Sequence, residues 1–511
     1  MRRVSIRNAH VRVALLAASL ATVIVVAPAA PASAEDSCTS GVANDFDGDG
    51  VRDLAISDPR ATVNDRASAG RVHIVYGDGA TQTMTQSDPF FPGYAAEVGD
   101  QFGYALASTD WNGDGCSDLV ISSPFESLDA ANRAGMASIV FGSPTGLGAA
   151  GTLNFYANTA PFTATDPTND QFGYSLAAGK TASGEPYVVF GIPGRELVKP
   201  DGSVLEQAGA VAYARGSQRT VTHQDSSGVF GIAEAGDLFG YSVAAAGRHI
   251  AVGGHGEDVG GEPYSGTVAV LEHTISAGAQ VAVGGIDQTA PGDTGVPGAD
   301  DWYGRTLAMV DYLDTAGVPQ SLLIVGVPGE DSSDGTVPDV GRLVTVSPTG
   351  TVTELDSVNQ DSPGVDGGSE VEDLFGWSVS AVNRDPVNLV TWDDLLFVAG
   401  SPGEDVGAFI DAGGIQVFSA IGAPGDHDVT VSASYLAGAG FVEVSDRRLG
   451  QFVHATPDLL YIADPRSADP AVYGVPWNNL LFGATLPVVA YRPGQNGLPS
   501  DGVGLFGAAL A

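Results

Sequence analysis

The chain has few cysteines and few basic residues for its length. Its 511 residues include two cysteines, Cys38 and Cys116, and 22 basic residues against 61 acidic ones. Two cysteines cannot determine the fold of so long a chain, although they could pair in an oxidising compartment. An acidic surface repels phosphate, so the composition argues against nucleic acid and anionic membrane surfaces as partners. It favours cations instead.

Long apolar runs are absent beyond the N-terminus. There, four arginines precede a mostly apolar segment of about 15 residues, 13–27, and small residues at 32–34 fit a cleavage site. We therefore expect residues 1–34 to be a signal peptide and residues 35–511 to be the mature chain. The alternative is an uncleaved membrane anchor, but the segment is shorter than the roughly 20 residues that span a bilayer. We expect a secreted protein, released or loosely held at the cell envelope, without membrane insertion.

One short phrase recurs along the whole chain. It couples an aromatic residue to glycine and then to small and apolar residues, as in Phe102-Gly103-Tyr104-Ala105. Clear copies begin at Phe102, Phe172, Phe239, Phe375 and Phe506, and weaker ones at Tyr303 and Leu449. The chain is thus divided into seven units of about 68 residues, which is the sequence signature of a repeat architecture.

Two further phrases repeat in step with the first. An apolar run that ends at a Gly or Pro turn begins at Leu54, Leu119, Val188, Ile250, Leu323, Leu396 and Tyr461. Another run follows a small residue and glycine, at Gly70, Gly135, Gly209, Gly266, Gly341 and Gly414. The seventh unit has no clear copy of this third phrase and ends in the run 486–491 instead.

These short runs predict an all-β fold. They are rich in β-branched and aromatic residues and are bounded by Gly, Pro and Asp, as strands are. Three or four strands per unit, seven times over, predict a seven-bladed β-propeller, with an open solenoid as the alternative. The repeat starts with its second phrase at Leu54 and ends with its first at Phe506. We therefore expect the N- and C-terminal strands to pair and close the ring, which removes two exposed sheet edges.

The alternating Phe-Gly and Gly-x-Pro phrases resemble the FG-GAP repeats of the integrin α-subunit N-terminal β-propeller and of its secreted bacterial relatives. The resemblance covers nearly all of the mature chain, and the fifth and seventh units depart from it at Tyr303 and Leu449. It implies a seven-bladed propeller with calcium bound in loops on one face. It also implies ligand recognition on the opposite face.

Two acidic loops separate the first and second phrases. Their candidate ligands are Asp45, Asp47, Asp49, Val51 and Asp53 in the first loop, and Asp110, Asn112, Asp114, Cys116 and Asp118 in the second. Side-chain oxygens at positions 1, 3, 5 and 9, with a backbone carbonyl at position 7, suit Ca²⁺ and its six to eight or so oxygen ligands. Magnesium fits less well because it keeps several waters.

An EF-hand is excluded because its position-12 glutamate is replaced by Ile56 or Ile121, inside a strand. The other five units lack the ligand set. We therefore predict two Ca²⁺ sites with a structural role. The alternative interpretation is that both loops are solvated acidic turns without a metal ion.

The two cysteines flank these loops. Cys38 lies just before the first loop and Cys116 lies within the second. We hypothesise that they form a disulfide that joins adjacent blades; two free thiols are the alternative.

The turns after the Gly-x-Pro phrases join the face opposite the calcium loops. They repeat Glu257, Glu330 and Glu404, and the connections into the Phe-Gly phrases repeat Gln224, Gln288 and Gln360. We expect ligand recognition on this face, with solvated turns as the alternative. Trp302 and Trp377 are interpreted as core residues because they lie in or beside a Phe-Gly phrase.

The sequence contains no recognisable catalytic motif. There is no Gly-x-Ser-x-Gly elbow, no His-Glu-x-x-His and no P-loop. We therefore expect a monomeric binding or adhesion module for an extracellular protein or glycan, with no enzymatic activity and calcium as its only cofactor. Two alternatives stay open: a secreted hydrolase of polysaccharide or lipid, since carboxylates are numerous, and a purely structural envelope protein.

Overall fold

The computed structural model describes residue 38 and residues 42–91, 93–157, 159–162, 164, 166–290 and 295–511. Its strands form seven successive antiparallel sheets of three or four strands, which are the blades of a β-propeller. The predicted all-β, seven-bladed fold is confirmed. The predicted signal peptide, residues 1–34, lies outside the described residues, so the division of the chain at residue 34 stays a prediction.

Blades 2 to 7 each contain four strands, counted from the propeller axis to the rim. In blades 2 to 4 these are Leu106–Thr109, Asp118–Ser123, Met136–Val140 and Thr152–Tyr156; Leu176–Lys180, Pro186–Ile192, Ala210–Arg215 and Gln218–Thr222; and Ser242–Ala245, His249–Gly254, Thr267–Ser276 and Ala279–Ile286. In blades 5 to 7 they are Thr306–Leu313, Pro319–Val327, Arg342–Ser347 and Thr353–Val358; Ser378–Asn383, Leu395–Ser401, Gly414–Ser419 and Val429–Thr430; and Val453–Ala455, Leu459–Asp464, Ala471–Pro476 and Val489–Tyr491.

A few elements lie outside the blades. They are a small hairpin, Leu197–Val198 with Val204–Leu205, and the short helices Ala433–Leu436, Ala437–Ala439 (3-10) and Trp477–Phe482. None of the helices in the described residues has the length and apolar character needed to span a bilayer.

Blade 1 is completed by the C-terminus. Its strands Leu54–Asp58, Arg71–Val75 and Thr81–Met84 leave the innermost position to the last residues of the chain. The backbone N–H of Ala55 donates to the carbonyl of Ala511 at 2.7 Å, and the N–H of Ala511 donates back at 3.2 Å. The predicted pairing of the two ends is confirmed, and the ring is closed.

The apolar core lies between neighbouring blades. Strand Leu54–Asp58 is buried along its whole length, and successive side chains of a strand point to opposite faces of the sheet. Ala55 therefore packs in a cluster with blade 2, whereas Leu54 and Ile56 pack in a cluster with blade 7. Burial on both faces explains why the second strand of each blade is a continuous apolar run rather than an alternating one.

The first residue of each Phe-Gly phrase fills this space between blades. Phe102 is 2% exposed, and its N–H donates to the carbonyl of Ala69 in the preceding blade at 2.9 Å. Tyr303 and Leu449 are equally buried and make the same backbone contact. The two departures from the repeat therefore leave the architecture unchanged.

Glycine is required on both sides of this contact. Gly240, in the phrase of blade 4, has φ +91°, and a Cβ there would lie 2.4 Å from the carbonyl oxygen of Ala210. Gly209, which opens the third strand of the preceding blade, has φ +83°, and a Cβ there would lie 2.3 Å from the backbone of Phe239. Both positions combine a left-handed backbone with a close approach of two chains, which glycine alone accommodates.

Blade 7 contains a third strand that the sequence analysis did not identify. The third strand of blade 7 is Ala471–Pro476, which pairs with Leu459–Asp464, and the run 486–491 instead holds the fourth strand, Val489–Tyr491. The sequence signal is missing because Asp469-Pro470 stands where the other blades have a small residue and glycine.

Candidate functional site

The first acidic loop gathers three carboxylates. The carboxylate oxygens of Asp45, Asp47 and Asp49 lie within 4.8 Å of one another. Backbone amides hold the loop in shape: the N–H of Gly50 donates to Asp45 Oδ2 at 2.9 Å, and the N–H of Val51 donates to Asp49 Oδ1 at 2.7 Å. Burial and then the neighbouring carboxylates raise the pKa of Asp47. A bound cation would relieve this repulsion.

The last carboxylate of each loop ties the loop to its blade. The oxygens of Asp53 accept hydrogen bonds from the N–H groups of Phe46 at 2.6 Å and Gly77 at 2.8 Å. Asp118 accepts equivalent bonds from Trp111 at 2.8 Å and Gly142 at 2.9 Å. Burial raises the pKa of both aspartates to about 7. Both residues thus have a structural role, and their predicted role as metal ligands stays a prediction.

The second loop differs from the first in its charge balance. Lys180, in blade 3, donates to Asp110 Oδ2 at 3.0 Å, and Asn112 Nδ2 donates to Asp114 Oδ2 at 2.8 Å. The Lys180 ammonium and the Asn112 amide thus already bind carboxylates that the sequence analysis assigns to a metal ion. The two predicted sites are not equivalent.

The hypothesised disulfide between Cys38 and Cys116 is confirmed, with Cα atoms 5.2 Å apart. Backbone contacts reinforce it, since the N–H of Ser117 donates to the carbonyl of Asp45 at 2.7 Å. A Cβ on Gly48 would lie 2.6 Å from the Cα of Cys38. The two acidic loops of adjacent blades are thus packed together and covalently joined.

The opposite face of the propeller has a central cavity. The inner strand of each blade begins at this face, which we call the axial face. The two acidic loops lie on the other face, where the inner strands of their blades end. The third residues of the seven phrases surround the axis here: Tyr104, Tyr174, Tyr241, Arg305, Trp377, Gln451 and Ala508. All of them except Tyr174 line a cavity of about 580 Å³, which we call the axial cavity.

Five of these side chains form a continuous arc. The ring centroids of Tyr104 and Tyr174 lie 4.9 Å apart, as do those of Tyr174 and Tyr241. The guanidinium carbon of Arg305 lies 6.0 Å from the ring centroid of Tyr241 and 3.6 Å from that of Trp377. Burial raises the pKa of Tyr104 to about 12, so its hydroxyl stays protonated at neutral pH. The interpretation of Trp377 as a core residue is wrong, because the third residue of the phrase faces the axis while the first packs between blades.

The fourth residue of the phrase joins neighbouring blades, a role that the sequence analysis missed. A hydroxyl at this position donates to the carbonyl of the next phrase's glycine: Ser175 to Gly240, Ser242 to Gly304, Thr306 to Gly376 and Ser378 to Gly450, at 2.5–2.9 Å. The recurrence of Ser or Thr at the fourth position of the Phe-Gly phrase could have indicated this role.

The glutamates of the axial-face turns also join blades. Side-chain amides donate to them across four of the joints: Gln86 to Glu126, Gln224 to Glu257, Gln288 to Glu330 and Gln360 to Glu404. All four glutamines are buried, with exposures of 1–4%. These side chains therefore hold neighbouring blades together, and their expected contact with a ligand stays a prediction.

Comparisons with known proteins agree with this architecture. The FG-GAP repeat family matches residues 39–75 and 102–140, which contain both acidic loops. Phosphatidylinositol-glycan-specific phospholipase D of Mus musculus is 37% identical over 81 residues, or 16% of this chain and 9% of that one. Integrin alpha-PS2 of Drosophila melanogaster is 29% identical over 150 residues, or 28% of this chain and 10% of that one. The chain thus spans about a tenth of the length of these curated relatives.

One match among solved structures is the periplasmic gluconolactonase of Pseudomonas aeruginosa. It is 13% identical with a TM-score of 0.42, over 89% of this chain and 98% of that one. The repeats, their family match and the closed ring of seven sheets together show that the chain is a seven-bladed β-propeller that carries FG-GAP repeats and resembles the integrin α-subunit propeller.

Proposed function

We propose that this chain is a secreted, monomeric, calcium-binding propeller that recognises an extracellular protein or glycan on its axial face without chemical turnover. The observation that carries the calcium assignment is the convergence of the Asp45, Asp47 and Asp49 oxygens within 4.8 Å of one another. Ca²⁺ takes about six to eight oxygen ligands. The carbonyl of Val51, the carboxylate of Asp53 and water would complete the set.

The second loop is a weaker site in this proposal. Asp110, Asn112, Asp114, the carbonyl of Cys116 and Asp118 offer the same ligand pattern. However, the ammonium of Lys180 lies 3.0 Å from Asp110 Oδ2 and competes with a metal for it. We therefore expect Ca²⁺ to bind the first loop more tightly than the second.

The proposed role of calcium is structural. It would neutralise carboxylates that repel one another and hold the first loop against the disulfide-linked second loop. The disulfide between Cys38 and Cys116 supports secretion, since such bonds persist in oxidising compartments. Extracellular modules typically bind calcium with dissociation constants of about 10⁻⁴–10⁻³ M, and this is the range we expect.

The axial cavity supports recognition on the opposite face. Its lining includes aromatic, hydroxyl, amide and guanidinium groups beside aliphatic ones, and the former bind ligands by stacking and hydrogen bonding. Its volume of about 580 Å³ lies within the roughly 300–1,000 Å³ of ordinary ligand pockets.

A capture experiment tests the proposal. The disulfide-bonded protein is immobilised and exposed to arrays of extracellular proteins and glycans, once with calcium and once with a chelator. We expect calcium-dependent retention of a ligand that is recovered chemically unchanged. Release of a cleaved product from the retained ligand would show a hydrolase instead, and retention of nothing on any array would leave a purely structural protein.

A further inference from the structure

The axial cavity is basic although the protein is strongly acidic. Arg60, Arg305 and Arg466 line it, whereas no Asp or Glu occurs among its described lining residues. The whole chain has 61 acidic residues and 22 basic ones. The charge of the cavity is therefore opposite in sign to that of the average surface.

These three guanidiniums have no carboxylate partner within the part of the chain that the structure describes. Arg466 Nε donates to the amide oxygen of Gln451 at 2.8 Å, and Arg305 lies over the ring of Trp377. By contrast, the buried guanidinium of Arg195 lies 2.9 Å from a carboxylate oxygen of Asp170. The cavity thus has positive charge and N–H donors available for an anion.

The rest of the lining determines what kind of anion fits. Tyr104, Tyr241 and Trp377 present aromatic rings, and Gln101 and Gln451 present amides. Aromatic rings pack well against a flat apolar face, and amides bond to hydroxyls. A ligand that combines an apolar ring face, several hydroxyls and a carboxylate would contact the aromatic rings, the amides and the guanidiniums of the lining.

We propose that the axial cavity binds a pyranose ring that carries a carboxylate, a uronic acid unit of an acidic polysaccharide. The carboxylate would accept paired hydrogen bonds from a guanidinium, Arg305 or Arg60, a geometry that arginine favours. The C–H face of the ring would pack on Trp377 or Tyr241. This inference rests on the proposed function, because it names the ligand class for the same face.

The net charge of the protein does not prevent such binding. Charges are screened over about 8 Å at physiological ionic strength, so the guanidiniums in the cavity act on the ligand more strongly than distant carboxylates. A peptide of acidic residues alone would supply the carboxylate but no ring to cover the aromatic surface. The aromatic lining therefore favours an acidic sugar over such a peptide.

Calorimetric titration of the disulfide-bonded protein in calcium tests the inference. Three probes are compared: trigalacturonate, the uncharged trisaccharide of galactose, and a short peptide of glutamates. We expect trigalacturonate to bind at least about tenfold more tightly than either other probe, and to bind more weakly as salt is raised. Equal binding of the two trisaccharides, or tighter binding of the peptide, overturns the proposal.

Variants assign the binding to the cavity. Arg305→Gln should weaken trigalacturonate binding about tenfold, whereas Arg248→Gln, in the turn of blade 4 on the acidic-loop face, should leave it unchanged. Arg60→Gln, at an exposed position, gives the same test if the Arg305 variant misfolds. Equal effects of the cavity and control variants contradict the assignment.

The outcomes separate this inference from the proposed function. If the arrays capture another ligand while trigalacturonate fails to bind, this inference fails and the proposed function stands. If nothing binds, both fail.

Discussion

The hydroxyl of Ser242 donates a hydrogen bond to the carbonyl oxygen of Gly304 at 2.5 Å, from one blade to the next. Ser175, Thr306 and Ser378 make the same bond at their own joints. Each bond lies directly beside the residue that faces the axial cavity. The Phe-Gly phrase therefore supplies the inter-blade core, the turn, the cavity lining and the bond between blades in four successive residues.

Removing one of these hydroxyls should destabilise the propeller. Ser242→Ala leaves the buried carbonyl of Gly304 without its donor, which typically costs about 1–3 kcal/mol. We expect a lower urea midpoint and a lower melting temperature. Ser276→Ala, at an exposed strand end of the same blade, is the matched control and should change neither. Equal stability of the two variants would show that the inter-blade bond contributes nothing.

Lys180 should limit calcium binding at the second loop. Lys180→Gln removes the ammonium next to Asp110, so we expect the affinity of this loop for Ca²⁺ to rise about tenfold. Calcium titration with resolved stoichiometry measures the change. Lys199→Gln removes a lysine that pairs with Asp225 in blade 3, and this control should leave both loops unchanged. An unaltered second site in Lys180→Gln would contradict the proposed competition.

The disulfide should stabilise the joint between blades 1 and 2. It closes a segment with a sequence separation of 78 residues, and a loop of that size is worth about 4.5 kcal/mol in the chain-entropy treatment. Replacing both Cys38 and Cys116 by alanine should lower the melting temperature and weaken calcium binding at the first loop. Each single variant loses the same bond and should match the double variant. A melting temperature that is insensitive to these changes and to reductant would contradict this role.

A buried acid pair should make stability depend on pH. Burial, and then the charge of Asp100, raise the pKa of Glu126 from 4.5 to about 8. Between these values the folded protein keeps a proton that the unfolded chain has lost, so the free energy of unfolding falls as pH rises through this window. Glu126→Gln keeps an acceptor for Gln86 but no longer titrates.

We therefore expect Glu126→Gln to gain roughly 2–4 kcal/mol over the natural protein between pH 5 and pH 8, measured by urea unfolding in chelator. Glu206→Gln, at an exposed position, should follow the natural protein at both pH values. Parallel pH profiles for Glu126→Gln and the natural protein would mean that Glu126 does not hold the proton.

The features that the sequence predicted correctly share a cause: they are repeated or local. The seven Phe-Gly phrases must all make the same inter-blade contact, so their count and phase indicate the number of blades and the closing of the ring. The pairing of Cys38 with Cys116 follows from the closeness of each cysteine to an acidic loop. A single missing glycine was enough to hide the third strand of blade 7.

The features that the sequence did not reveal depend on contacts between distant segments. Lys180 meets Asp110 across 70 positions of sequence, and no local pattern indicates this pair. The burial of Glu126 against Gln86 likewise requires two blades. The orientation of Trp377 toward the axis follows from its place after glycine, but only the assembled ring shows that this direction leads to a cavity.

Calcium titration of the first loop tests the account most directly. The natural protein is compared with Asp47→Asn and with Asp65→Asn, which changes an exposed aspartate of the axial-face turn in blade 1 at a left-handed backbone position that asparagine tolerates. We predict saturable Ca²⁺ binding that is about tenfold or more weaker in Asp47→Asn and unchanged in Asp65→Asn. Absence of saturable binding in the natural protein, or equal binding in all three proteins, would contradict calcium coordination by this loop.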